Sequence, residues 1–109
     1  MLIEFDKMEE TVIPRFLNGE GVTRARMWVD ELSKIMRGAL EPGSCIGLHT
    51  HDTSSEIIYI LAGKGKVLYD GEYEPLSAGS CHYCPKGHSH SLINDSQGIL
   101  EFFAVVPVQ

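Results

Sequence analysis

Positive charge is scarce in this chain: nine lysines and arginines stand against 15 aspartates and glutamates, giving a formal charge of −6. The nine do not cluster, which argues against a nucleic-acid partner, because such binders gather lysine and arginine on one face. A small anionic ligand remains compatible, since a pocket can hold local positive charge inside an acidic protein. No apolar segment approaches the ~18 residues that a bilayer span needs. The opening segment, Met1 to Lys7, has no cationic stretch ahead of a long apolar run. Neither a membrane span nor a secretory signal is therefore predicted. Cysteine is sparse and odd in number; Cys45, Cys81 and Cys84 predict free thiols in a reducing cytoplasm. A sustained 3.6-residue apolar period is missing too, and Pro42, Pro75 and Pro85 break what could otherwise be read as helix.

What remains is a chain of 109 residues with 43% hydrophobic and 22% charged residues, the balance of a globular protein. It is long enough to bury a core without disulfides as a staple. No repeat, low-complexity tract or linker divides it, so residues 1–109 are expected to form a single domain. Strand signals recur at short intervals between glycine, proline and Asx turns, which predicts an all-β sandwich or barrel. The expected strands are 11–16, 23–29, 34–40, 45–51, 56–61, 65–69, 73–76, 80–84, 90–93 and 99–106. Asp70-Gly71 is the strongest hairpin signal, because a type I′ turn needs positive φ at both central residues.

Between Glu56 and Leu61, alternation puts residues 56, 58 and 60 on one face and Ile57, Tyr59 and Leu61 on the other. Both faces are largely apolar, so both are expected to be buried. If the Glu56 face looks into a barrel, a second subunit is the economical cover for the other. A homodimer is predicted.

The chemistry concentrates in two histidine blocks. His49 and His51 are two residues apart, so on a strand they lean the same way with Cα atoms about 6.5–7 Å apart. Glu56 opens the next expected strand after a short connection, which lets an antiparallel partner bring its carboxylate alongside. His90 comes from a further strand, aimed by the corner around Pro85 and Gly87. Three imidazoles and one carboxylate suit one divalent transition metal (Mn, Fe, Ni, Zn, Co or Cu) better than calcium or magnesium. Four protein ligands on an octahedral ion leave two positions for water, dioxygen or a bidentate small molecule.

These residues also fall into two spaced motifs. Gly43, His49, His51, Glu56 and Gly63 form the first; Gly79, Pro85, Gly87, His90 and Asn94 form the second. At roughly one in twenty per position, ten such coincidences are on the order of 10⁻¹³. The two segments, 43–63 and 79–94, resemble the paired motifs of the cupin superfamily at every fixed position. Their close spacing resembles the compact single-domain bacterial cupins. The resemblance implies a double-stranded β-helix, a small jelly-roll barrel, with His49, His51, Glu56 and His90 as metal ligands.

Other residues carry weaker signals. Cys81 and Cys84, with His82 and His88, could suggest a zinc cluster, but cysteines three apart on a strand face opposite sides. Buried, inert thiols are the favoured reading. His88 is either an acid–base group at the pocket rim or an exposed turn histidine, with the turn favoured. Arg24, Arg26 and Trp28 either line the barrel and bind an anion or occupy an outer face, with the outer face favoured. No residue beyond the four ligands receives a catalytic role. The functional expectation is a small metalloenzyme (a dioxygenase, decarboxylase, isomerase or lyase) acting on a small anionic or sugar-like molecule. The alternative is a non-catalytic module that binds or senses such a ligand; a purely structural ion is a weaker third.

Overall fold

Ten strands follow one another along the chain, separated by the turns that the glycine and Asx positions announce. A computed structural model describes all 109 residues. The strands are β1 (Thr11–Pro14), β2 (Val22–Val29), β3 (Ser33–Leu40), β4 (His49–Thr50), β5 (Glu56–Ala62), β6 (Lys64–Tyr69), β7 (Glu72–Ser77), β8 (Cys81–Cys84), β9 (Ser89–Ile93) and β10 (Leu100–Pro107). They form a six-stranded sheet in the order β1-β2-β3-β10-β5-β8 and a four-stranded sheet in the order β4-β9-β6-β7. Every pairing is antiparallel. This is the all-β jelly-roll architecture expected from the sequence.

Alternation decides what lies inside. On β5, Glu56, Ile58 and Ile60 are buried; on β10, Leu100, Phe102 and Ala104 are. Met36 and Leu40 of β3 complete that inner face, and Val67, Leu76 and Leu92 of the smaller sheet pack into the same apolar cluster. Phe102, with no exposed surface, is among the largest residues of this core. The Asp70-Gly71 hairpin forms as predicted, with φ of 47° and 85° at the two residues.

Two expectations need correction. The sequence predicts one strand over 45–51, but only His49–Thr50 joins a ladder. The amides before it bond irregularly, Cys45 to Glu20, Ile46 to Leu92 and Gly47 to Phe16. The first strand stops at Pro14, because Arg15 turns left-handed (φ 52°) and starts a short 3₁₀ turn, Phe16–Asn18. On the outer face of β5, Ile57, Tyr59 and Leu61 are 41%, 43% and 38% exposed in the single chain.

The outer face of the large sheet also settles the side on which the arginines lie. Arg24 bonds Glu41 through Nε and Nη2 at 3.1 and 2.9 Å and reaches Glu10 at 3.4 Å. Its neighbour Ala25 is buried in the core, so Arg24, Arg26 and Trp28 share the outer face.

Candidate metal centre

The site is assembled at one end of the barrel from pieces of both sheets. The β4–β9 ladder sets His49 opposite His90, and the first residue of β5, Glu56, lies opposite Cys84 of β8. His51 sits just past β4, where its amide donates to the His88 carbonyl at 3.1 Å. All four residues expected as ligands therefore converge, with one candidate ligand atom from each lying within 4.8 Å of the others.

Their geometry is specific. The three histidine Nε2 atoms form a triangle with edges of 3.2 Å (His49 to His51), 2.9 Å (His51 to His90) and 3.0 Å (His90 to His49). Glu56 Oε1 lies 2.9 Å from His90 Nε2, 3.1 Å from His51 Nε2 and 3.8 Å from His49 Nε2. An octahedral ion with bonds of roughly 2.1 Å has neighbouring ligands ~3.0 Å apart and opposite ligands ~4.2 Å apart. A tetrahedral ion would space all of them equally, at ~3.4 Å. The Glu56 distances are uneven, two short and one long, which a six-coordinate ion would accommodate more readily than a regular tetrahedral one.

The back of each ring is already satisfied. His49 Nδ1 donates to the Gly47 carbonyl at 2.7 Å, which leaves Nε2 as a lone pair facing the centre. His51 Nδ1 pairs with Ser54 Oγ at 2.8 Å, and His90 Nδ1 with His82 Nε2 at 3.0 Å. Such outward bonds can fix the tautomer of a ligating histidine. Three ring nitrogens aimed inward beside a carboxylate are a donor set that suits a cation.

The imidazoles also set the charge of the carboxylate. Burial pushes the Glu56 carboxyl up, yet the neighbouring rings of His49, His51 and His90 outweigh it and hold the group well below the usual carboxylate range. Burial works to lower the His49 value as well; Glu56 and the Gly47 carbonyl overcome it, and the net shift is upward.

A cavity of about 70 Å³ opens beside three of the four donors, His49, His51 and Glu56, and is otherwise lined by Phe16, Leu17, Lys34, Ile46 and Val106. Its wall depends on Gly47. A Cβ there would lie 2.0 Å from the Leu17 carbonyl oxygen, so only glycine lets the 3₁₀ turn close on the site. Lys34, with Nζ 5.8 Å from the centre of the Phe16 ring, brings a positive charge to this wall.

The family can now be assigned. The sequence profile of the Cupin domain matches residues 36–106. The chain belongs to the cupin family. Over 70 residues it is 43% identical to the oxalate-binding protein of Thermotoga maritima, a match covering 64% of this chain and 58% of that relative's length. A crystal structure of a predicted oxalate decarboxylase from Thermotoga maritima superposes with a TM-score of 0.93 at 30% identity, covering all of both chains. The pectin degradation protein KdgF of Dickeya dadantii is 27% identical over 85 residues, 73% of each chain.

The other residues singled out in the sequence lie elsewhere in this cupin. His88 is a half-exposed turn residue whose Nδ1 pairs with Asp70 Oδ2, while its ring stacks on Tyr69. Cys81 and Cys84 face opposite sides as expected, but Cys81 is exposed, not buried. Burial and the negative charge of Glu56 push the Cys84 thiol up to about 11. His82, weighed in the sequence only as a partner of the two cysteines, is instead buried against His90. Alternation along β8 carried the signal, since it places His82 and Cys84 on the inner face.

Proposed function

We propose that this cupin holds one divalent transition metal through His49, His51, Glu56 and His90 and presents it to a small anionic ligand that chelates it. The observation carrying this reading is the pattern of donor distances, which suits a six-coordinate ion with two positions left open beside the cavity. Two open positions would suit a bidentate group such as a dicarboxylate or a hydroxy acid. The cavity of about 70 Å³ has room for little more than a few waters, so the ligand is small. Lys34 supplies charge of the sign that an anion needs, and Phe16, Leu17 and Val106 keep the far wall apolar. When bound, the cation supplies a Lewis acid that polarises the ligand's oxygens. Oxalate is the first ligand to test, given the relatives from Thermotoga maritima.

Metal-assisted turnover of the bound anion is the favoured use of the site. A non-catalytic binding module is the second reading, favoured by the relative named for binding oxalate. We further propose a homodimer through the outer face of β5, β8 and β10, where Ile57, Tyr59 and Tyr83 are exposed.

Calorimetric titration of oxalate into manganese-loaded and metal-free protein tests the proposal. Binding is expected only with metal, and Lys34→Met is expected to weaken it. Equal binding by the metal-free protein, or none by the loaded one across small dicarboxylates and hydroxy acids, would defeat it. Carbon dioxide release or oxygen uptake under the same conditions separates turnover from binding alone.

A further inference from the structure

The barrel buries a further histidine that is not among the three proposed ligands. His82 on β8 is 4% exposed, and its Nε2 lies 3.0 Å from His90 Nδ1. Its other nitrogen, Nδ1, lies 3.3 Å from Oε1 of Glu74 on β7, whose side chain is half exposed. Three side chains on three strands thus run in line from the centre of the candidate site to solvent. We propose that His82 and Glu74 are positioning residues that lock His90 as an Nδ1–H tautomer and so aim its Nε2 at the ion. The proposal rests on the reading of His49, His51, Glu56 and His90 as metal ligands.

The proton inventory follows from the polarity that a cation imposes. A histidine that gives its Nε2 lone pair to a cation keeps its remaining proton on Nδ1. For His90 that proton has one partner in the structure, His82 Nε2, which must therefore accept. His82 then carries its own proton on Nδ1, the atom beside the Glu74 carboxylate. Each link has a defined direction, and the line ends on an acceptor that water can reach.

The other two ligands need no such arrangement. His49 is fixed by a carbonyl two residues away and His51 by a hydroxyl three residues away. His90 alone depends on residues from separate strands, which ties its aim to the packing of β7 and β8 against β9. Cys84 shares this corner, since His82, Cys84 and His90 also bring three candidate donors within 4.8 Å of one another. A second ion there would require His90 to give up both ring protons as a bridging imidazolate. It would also place a thiolate in a dry corner near Glu56. One ion with a neutral relay avoids both costs.

Nuclear magnetic resonance of protein labelled with ¹⁵N-histidine reads the tautomers directly. With zinc bound, His90 and His82 are each expected to be protonated at Nδ1 and bare at Nε2. In parallel, competition with a chromophoric chelator compares zinc affinities. Replacing His82 by leucine (His82→Leu) is expected to weaken zinc binding about 10- to 100-fold. His82→Gln, whose side-chain oxygen can accept from His90, is expected to recover part of the loss, and Cys84→Ala to leave one zinc per chain. A proton on His82 Nε2, wild-type affinity in His82→Leu, no recovery in His82→Gln, or two zincs per wild-type chain would each overturn the relay. If His82→Leu fails to fold, the wild-type tautomers decide. Wild-type protein that binds no zinc would sink the metal site and the relay together, whereas binding with the wrong His82 tautomer sinks the relay alone.

Discussion

Loading the site with metal should raise the melting temperature substantially, and removing His51 should abolish most of the rise. Metal that binds the native state and not the unfolded chain stabilises by about 2.7 kcal/mol at a free concentration 100 times its Kd. In a domain near 100 residues each kcal/mol shifts Tm by about 4–8 °C, so a rise of roughly 10–20 °C is expected. His51 is the informative ligand to delete, because its Nε2 lies within 3.2 Å of all three other donor atoms. Without metal, His51→Ala removes its bonds to Ser54 and to Glu56 and should cost about 2–4 kcal/mol, so the comparison is made on the metal-induced rise of each protein. Calorimetry after chelator dialysis, with manganese, iron, cobalt, nickel, copper or zinc added back in turn, compares wild type and His51→Ala with and without each metal. The reasoning fails if none of these metals shifts the wild type, or if His51→Ala rises as far as the wild type does.

Three further outcomes are expected. Phe102 is fully buried at the centre of the large sheet, so Phe102→Ala should cost about 3–5 kcal/mol, read from the urea midpoint at unchanged slope. Asp70 is held below its ordinary carboxylate range first by His88 and then by the Ser89 amide. A depressed carboxyl contributes stability that is full above the unfolded value of about 3.9 and is lost as pH falls through its lower native value. The Tm gap between wild type and Asp70→Asn should therefore close on acidification; a gap constant with pH would refute the assignment. Finally, Tyr59→Glu on the outer face of β5 should shift light-scattering mass from two chains to one, and a wild type already monomeric would end the dimer proposal.

The parts of this fold that were legible in the sequence share one property: their geometry is set by local alternation. Residues 56, 58 and 60 face inward because a strand alternates, and the same rule places His49, Glu56 and His90 once their strands pair. Arg15 and Leu17 take positive φ without being glycine, and nothing in their chemistry announces it. The irregular amides of Cys45, Ile46 and Gly47 escaped for a related reason, since their partners lie far along the chain. His82 was a different kind of miss. Its inward direction was readable from β8, but its meeting with His90 depends on how β8 and β9, in separate sheets, come together at the end of the barrel.

The four donor residues all lie within segments 43–63 and 79–94, whereas Phe16, Leu17, Lys34 and Val106 of the cavity wall lie outside both. The proposed ligands and most of the chamber wall thus come from different stretches of the gene. A change at the start of β3 would reshape the chamber while leaving every donor residue in place. Selectivity can drift among descendants that keep an identical coordination set, and the wall is where mutagenesis aimed at a new ligand should begin.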